Sequence, residues 1–232
     1  EDFDDQFPVS IFQTGSGTSS NMNMNEVLAR VASEASGQSV HPNDHANCSQ
    51  SSNDVIPTCI QVTAMRTLCH VLLPALENLI DTLASRSQQL ASVTKTGRTH
   101  LMDAMPLTFG QELGAWAAQL EDCRQRFIDL QARLRQLPIG GSAVGTGVNV
   151  PAGFSARLVH ALNALTELSF DVAPDAFSRI AGQDVALECS ACLRALAVSL
   201  SKINNDLRWM ASGPLSGLAE IELQALQPGS SI

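Results

Sequence analysis

Three stretches of the chain repeat apolar residues at helical spacing over long distances. The first starts near Pro57, which suits a first helical turn with Ser52, Asn53 or Asp54 as cap, and extends to about Val93. In the second and third, apolar residues recur in alternating steps of three and four, the heptad pattern of packed helices. The apolar positions are, in chain order, Met65, Leu68, Leu72, Leu76, Leu79 and Leu83; Leu113, Trp116, Leu120, Cys123, Phe127, Leu130, Leu134 and Leu137; and Cys189, Leu193, Leu196, Leu200, Ile203, Leu207 and Met210. The sequence therefore predicts three long helices of about 40 to 50 Å at 1.5 Å per residue.

Shorter helices and helix ends are marked by polar residues, glycine and proline. Ser20 or Asn21 is predicted to cap a first, short helix. We expect Pro74 to kink the first long helix, and Gly213-Pro214 to end the last one. No segment alternates apolar and polar residues over a useful length, so no sheet is predicted. The apolar faces of the short helices are Val27, Leu28 and Val31 in one and Phe154, Leu158, Leu162 and Leu165 in the other.

The predicted fold class is all-α, a bundle of long helices. Few other elements remain to cover the apolar seams, so we expect further copies of the chain to complete the bundle. A monomeric bundle that covers its own seams is the alternative. We assign residues 1–53 to the remainder of an N-terminal domain with binding loops, and residues 54–232 to the central helix bundle.

Composition narrows the class of protein. A net charge of −9 and a pI near 4.9 argue against a nucleic-acid partner, since phosphate binding needs a basic surface. With 44% hydrophobic residues, the chain can bury a sizeable core. We find no leader-like segment at the N-terminus and no apolar run long enough to span a bilayer. We therefore expect a soluble, cytoplasmic protein without a membrane partner.

No pattern of metal ligands is complete in the sequence. Six cysteines are scattered among apolar residues, and we expect them to be reduced core thiols. Cys189 and Cys192 form a C-x-x-C pair, but no second pair follows at zinc-ligand spacing. Pro42 prevents a regular helical face that would carry both His41 and His45. The expectation is no metal and no cofactor.

Polar clusters lie at the ends of the predicted helices, in residues 15–18, 41–54 and 97–100. Backbone N–H groups and hydroxyls at a helix N-terminus can bind a carboxylate, although simple helix capping would use the same residues. His100 is followed by Asp103, and such a charge partner can tune a histidine for proton transfer near neutral pH. A surface histidine is the alternative. No serine follows a strand as in a nucleophile elbow, so acyl transfer is not predicted.

Five short motifs also occur in order along the chain. They are Gln13–Thr18 with Asn21–Glu26, His41–Asp44, Gln50–Asp54, Gly97–His100 and Gly229–Ile232. Together, at matching spacing, they resemble class II fumarases of the fumarase/aspartase superfamily. His100, Ser16 and Ser52 favour hydration, because aspartases typically carry other residues there. Aspartase, argininosuccinate lyase and a catalytically inactive structural homologue are the alternatives.

The resemblance implies a lyase of the tricarboxylic acid cycle that reversibly adds water to fumarate, giving L-malate through an aci-carboxylate carbanion. It also implies a homotetramer with a superhelical core of central helices and active sites shared between subunits, without a cofactor. The substrate-binding residues would be Ser16, Thr18, Ser51, Ser52, Asn53 and Thr99. The catalytic residues would be His100 and Ser231, and a second anion site would contain His41, Asn43 and Asp44.

The chain departs from the family pattern in two places. In the family, the signature loop continues past the equivalent of Ile232 with a lysine and an asparagine that bind substrate, and an N-terminal segment and a C-terminal domain flank the matching region. We therefore expect the 232 residues alone to be inactive. Gln38 and Ser39 stand where some bacterial members place a basic residue before His41.

Overall fold

The computed structural model describes residues 3–224 of the chain. These residues belong to two compact units, residues 1–70 with 129–189 and residues 71–128 with 190–232. The assignment of domains to residues 1–53 and 54–232 stays a prediction. The helices are α1 (Thr18–Ser36), α2 (Ser52–Thr67), α3 (Leu73–Gln89), α4 (Phe109–Leu134), α5 (Phe154–Thr166), α6 (Ala176–Ala181) and α7 (Asp184–Met210). The strands are β1 (Thr94–Thr99), β2 (Met102–Thr108), β3 (Gln136–Leu137) and β4 (Asp171–Val172).

The all-α prediction is confirmed, since helices account for 62% of the structure. The stripe predicted from Leu113 to Leu137 is the best example, because seven of its eight residues are buried and Leu113 alone is half-buried. The residues through Leu134 lie on α4, and Leu137 lies in β3. The stripe of α7 is less complete, with Leu193 45% exposed. Buried Gln61 of α2 donates its Nε2 to the carbonyl of Leu134, the last residue of α4, and to that of Gln136, at 2.9 Å each. Heptad periodicity therefore located the core positions of the long helices.

Helix α1 buries a different face from the predicted one. Leu28 is 50% exposed, whereas Asn21 and Asn25 are buried together with Ala29. Both asparagines donate their Nδ2 to Asn47 Oδ1, at 3.5 and 3.1 Å. The predicted apolar face was wrong because side-chain amides, which satisfy one another when buried, make the contact. The predicted side-chain cap by Ser20 or Asn21 was wrong too, since the helix starts after Gly17, whose φ is 69°.

Helix α2 begins at Ser52, five residues before Pro57. Its N-cap is Ser51, and the Ser51 hydroxyl and the Asp54 carboxylate form a reciprocal capping box. Pro57 lies inside the helix, so its predicted place in the first turn was wrong. A π-helical segment, Leu68–Leu72, lies immediately before α3, whose first turn contains Pro74, and the kink predicted at Pro74 stays a prediction. Proline cannot donate a backbone N–H, which favours such a change in hydrogen bonding.

The continuous helix of residues 52–89 is long and apolar enough to cross a membrane by length and composition, and it is the one such helix among residues 3–224. This differs from the expectation that no such run exists. Helices of bundles that pack against neighbouring subunits have the same length and composition. The helix therefore does not by itself indicate a membrane, and the absence of a membrane partner stays a prediction.

A β-hairpin lies where the sequence predicted a polar connection without strands. β1 pairs antiparallel with β2, and Thr99 lies opposite Met102. The register is irregular around Gly97, where a Cβ would lie 2.4 Å from the Met105 carbonyl oxygen. The prediction of no strands was wrong because most of β2 is exposed, so burial imposes no alternation on its sequence. A second, two-residue parallel pair joins β3 and β4.

No disulfide joins any of the six cysteines, all of which lie among the described residues. Their predicted place in the core was wrong for most of them. Only Cys123 is buried, and Cys48 and Cys59 are exposed. Apolar neighbours in the sequence therefore did not show whether a cysteine lies on the buried or the exposed face of its helix.

Gly110 allows the start of α4 to approach the end of α3. A Cβ at Gly110 would lie 2.5 Å from the Ser87 carbonyl oxygen and 2.7 Å from Ala91 Cα, both backbone atoms. We expect Gly110→Ala to lower the free energy of unfolding by about 2 kcal/mol through overpacking, measured by urea denaturation. Gly114→Ala is the matched control, because it meets only the Ser87 hydroxyl, at 3.1 Å. Equal stabilities of the two variants would contradict this account.

Candidate active site

Four hydroxyl groups form a continuous row in the first unit. The Oγ of Ser16 lies 3.2 Å from Thr14 Oγ1 and 3.0 Å from Thr18 Oγ1. Thr18 Oγ1 in turn lies 3.0 Å from Ser52 Oγ. The row thus joins the loop before α1 to the first residue of α2. Hydroxyls both donate and accept, so a row of them can turn its protons toward a bound anion.

A buried carboxylate fixes the start of α2 against the glycine-rich loop that follows β3. Asp54 is fully buried, and its Oδ1 accepts from the Ser51 backbone N–H at 3.0 Å. Its Oδ2 accepts from the backbone N–H groups of Gly140 and Ser142, at 2.9 Å each. This loop is also bound by Asn53, whose Nδ2 donates to the Ala143 carbonyl at 2.8 Å. The sequence predicted Asp54 only as a possible cap and missed this second role.

A cavity of about 350 Å³ opens beside the hydroxyl row. It is lined by Gly15, Ser16, Ser52, Asn53, Ile56, Pro57, Ile60, Ile180 and Gln183. Ser51 does not line it, and its Oγ accepts from the Asn53 backbone N–H at 3.2 Å. Of the residues predicted to bind substrate, the structure therefore brings Ser16, Thr18, Ser52 and Asn53 to one place. The combination of hydroxyl and amide groups with an apolar wall suits a small polar ligand.

Thr99 and His100 belong to the second unit, at the tip of the hairpin. His100 and Leu101 form its two-residue turn, with φ values of 54° and 62°. Positive φ at both positions is the type I′ geometry, which normally favours asparagine and glycine. Strained, exposed turns of this kind often carry functional side chains. The predicted pairing of His100 with Asp103 was wrong, because the register places Asp103 opposite Arg98, at 3.8 Å between Oδ1 and Nε.

Below this turn lies a cavity of about 440 Å³, whose wall includes the charged residues Lys95, Arg98 and Glu112. Lys95 Nζ lies 2.5 Å from Glu112 Oε2 and 3.1 Å from Glu220 Oε2, and Arg98 Nη1 lies 2.7 Å from Glu220 Oε1. Burial raises the pKa of Glu220, but hydrogen bonds from Arg98 and Lys95 outweigh it and hold that pKa below its ordinary value. The sequence missed this cluster, because its members lie far apart in the chain.

The residues predicted to form a second anion site start a single π-helical turn, Pro42–Ala46. His41 Nδ1 accepts from the Asp44 backbone N–H at 3.2 Å and lies 3.3 Å from Asp44 Oδ2. The His41 backbone N–H donates to His45 Nδ1 at 2.7 Å. His41, Asn43 and Asp44 are exposed. The structure thus places the three residues together on the surface of the first unit.

Ser231 lies outside the described residues. Among residues 3–224, no group of three or more His, Cys, Asp and Glu side chains is arranged to hold a metal ion.

Comparison with known proteins gives one family for the whole chain. The family model described as Lyase matches residues 1–232. A fumarate hydratase class II of Xylella fastidiosa is 55% identical over 230 residues, which are 99% of this chain and 49% of that protein. Fumarate hydratase class II 2 of Pseudomonas aeruginosa is 53% identical over 232 residues, 100% of this chain and 51% of that protein. The chain therefore spans about half the length of the curated relatives it matches.

Solved structures agree with these relatives. The recombinant class II fumarase from Schistosoma mansoni matches with a TM-score of 0.93 and 39% identity, over 99% of this chain and 52% of that one. A structure titled fumarate lyase:delta crystallin, from Brucella melitensis and bound to cobalt, matches with a TM-score of 0.90 and 40% identity, over 98% of this chain and 50% of that one. At these identities the fold of the chain is the fold of these proteins.

Proposed function

Because the chain belongs to the lyase family, we propose that the full-length protein reversibly adds water to fumarate, giving L-malate. The observation that supports this most directly is the row of Ser16, Thr18 and Ser52 hydroxyls beside a cavity at the start of α2. Relatives named fumarate hydratase class II, 50 to 55% identical to the chain, favour the same reaction. The full-length enzyme would be a hydro-lyase that needs no cofactor.

The proposed chemistry explains the residue types. Removal of the C3 proton of malate leaves an electron pair that spreads into the neighbouring carboxylate, giving an aci-carboxylate with two negative oxygens. Donors must point at those oxygens, and the hydroxyls of Ser16, Thr18 and Ser52 with the Asn53 amide can provide them. The C2 hydroxyl then leaves with a proton as water, and the double bond of fumarate forms.

Two residues would move the protons. In this proposal Ser231 abstracts the C3 proton, and His100 acts through a water-mediated hydrogen-bond network on the opposite side of the reaction. Thr99 would bind substrate beside His100. The exposed position of His100 at a strained turn supports such a role, because its imidazole is accessible to a ligand.

The proposed assembly is a homotetramer whose active sites are shared between subunits. Large apolar side chains on the long helices are exposed in the single chain, among them Val71 at 62%, Leu187 at 70% and Val198 at 64%. Large apolar side chains exposed along long helices are typical of helices that pack against another subunit. We also propose a cytoplasmic location and a place in the tricarboxylic acid cycle.

The test is proton NMR of the products formed from fumarate by the complete encoded polypeptide, with ammonium present. L-malate alone is expected. Aspartate would show that the protein is an ammonia-lyase of the same family, and His100 and Ser52 would then have indicated the wrong reaction. No product would favour an inactive structural homologue.

The central hydroxyl of the row offers a direct test of substrate binding. We expect Thr18→Val to raise KM about tenfold or more, because a hydrogen bond to a charged group contributes about 1.5–3 kcal/mol. Steady-state kinetics with fumarate measure this effect. The matched control is Ser19→Ala, the next residue of α1, whose exposed hydroxyl makes no hydrogen bond with the described residues and whose loss should leave KM unchanged. A KM unchanged by Thr18→Val would remove the row from the binding site.

A further inference from the structure

One carboxylate joins the hairpin to the segment that follows α7. Glu220 Oε1 lies 2.7 Å from Arg98 Nη1, and Oε2 lies 3.1 Å from Lys95 Nζ, so both cations of β1 share it. The Glu220 side chain is 12% exposed and that of Lys95 is 5% exposed. Ion pairs shielded from water in this way are screened little by salt and depend strongly on geometry.

Glu220 is itself held by backbone hydrogen bonds. Its N–H donates to the Met210 carbonyl at 2.8 Å, and the Ala219 N–H donates to the Ser212 carbonyl at 2.7 Å. The Leu218 N–H donates to Ser212 Oγ at 3.1 Å. Residues 212–220 therefore fold back over the C-terminal end of α7, and the position of the Glu220 carboxylate is fixed by that helix.

The tip of the hairpin has little other support within its unit. Of the hairpin residues, only Lys95 and Gly97 are buried, and residues 99–106 are all exposed. The turn also carries two residues other than glycine at positive φ, an arrangement that persists only where surrounding contacts impose it. The ion pairs of Lys95 and Arg98 can do so, because they attach β1 to Glu112 of α4 and to Glu220.

We propose that Glu220 is a positioning residue, which fixes the turn that carries His100 by attaching β1 to the segment that follows α7. Glu220 acts through Arg98 and Lys95. Displacement of Glu220 would therefore change the position of the turn that carries His100. The consequence for catalysis depends on the proposed function, whereas the attachment of the hairpin does not.

Hydrogen exchange measured by mass spectrometry on the complete polypeptide tests the attachment. We expect Glu220→Gln to speed amide exchange in peptides covering residues 94–108 by about tenfold, with peptides of residues 109–134 unchanged. Glu121→Gln is the matched control, because Glu121 forms an exposed ion pair with Arg124 in the same unit. Unchanged exchange in the hairpin would overturn the proposal.

Kinetics test whether the attachment acts through His100. We expect Glu220→Gln to lower kcat about tenfold to a hundredfold, a loss typical of misplaced catalytic groups, with little change in KM. In a His100→Asn background the same substitution should have no further effect. An equal loss in both backgrounds would indicate general destabilisation and overturn the proposal.

A second variant of Glu220 and the activity of the unaltered protein complete these tests. If Glu220→Gln does not fold, Glu220→Asp takes its place, since it keeps the charge but is too short to reach both cations at 2.7 and 3.1 Å. Its hairpin peptides should again exchange faster than those of the Glu121→Gln control. If the unaltered protein forms no malate, the proposed function fails, and the exchange of residues 94–108 still decides whether Glu220 fixes the turn.

Discussion

Replacing His100 by asparagine is expected to lower kcat for fumarate hydration by about a hundredfold to a thousandfold, within the range that general acid–base groups contribute. Asparagine suits this test because it tolerates positive φ better than other residues with a Cβ, and His100 has a φ of 54°. The turn should therefore keep its shape while the imidazole is lost. Steady-state assays of malate formation measure the change in kcat, and KM is determined separately.

The control for this variant is His160→Asn. His160 is exposed on α5 and belongs to the other unit, and it is not among the predicted site residues. Its replacement should leave kcat and KM unchanged. An unchanged rate for His100→Asn would exclude His100 from the mechanism. Faster exchange of residues 94–108 in that variant would assign the loss of activity to a displaced hairpin rather than to the missing imidazole.

The long helices could be predicted from the sequence because their burial is periodic. In α4, Trp116, Leu120 and Phe127 recur at the spacing that places them on one face, and all three are buried. Such a prediction does not require knowing which helix packs against the stripe, since a continuous apolar stripe must be buried against another element. The heptad pattern therefore locates the buried residues even though it does not identify what packs against them.

The hairpin could not be predicted in this way. Its strands are held by Lys95 with Glu112 and by Arg98 with Glu220, pairs that are separated by 17 and 122 residues. Charged residues in a polar stretch normally indicate a solvent-exposed loop, and nothing local in the sequence shows that Lys95 is buried. Nor does the turn have the asparagine-glycine sequence that usually marks a two-residue hairpin.

For the candidate site, too, the sequence indicated the residue types but not the contacts that bring the residues together. The residue types of Ser16, Thr18 and Ser52 indicated anion binding, and the resemblance to a known family selected them among many polar residues. The contact between Thr18 and Ser52, which are 34 positions apart, is a result of tertiary structure. Asp54 was recognised only as a cap, because its bonds to Gly140 and Ser142 cross 86 and 88 positions.

Asp54→Asn should have the largest effect on stability of any single substitution near the site. The buried Asp54 carboxylate accepts from three backbone N–H groups, those of Ser51, Gly140 and Ser142. An amide has one oxygen, so whichever way it turns, its NH₂ group faces at least one of these donors. Hydrogen bonds to charged groups contribute about 1.5–3 kcal/mol each, and a buried donor left unpaired adds its own cost. We expect the free energy of unfolding to fall by about 3–4 kcal/mol.

Urea denaturation followed by far-UV circular dichroism measures this change, with Asp175→Asn as the matched control. Asp175 also accepts two backbone N–H bonds, from Phe177 and Ser178, but it is exposed at the start of α6. Water can replace its bonds, so the control should lose no more than about 1 kcal/mol. Equal losses of unfolding free energy in the two variants would mean that burial does not strengthen the hydrogen bonds of Asp54. Asp54 also holds the loop that Asn53 contacts. We therefore expect KM to rise in Asp54→Asn and to stay unchanged in the control. Such a result would show that the bonds of the Asp54 carboxylate maintain the shape of the binding cavity.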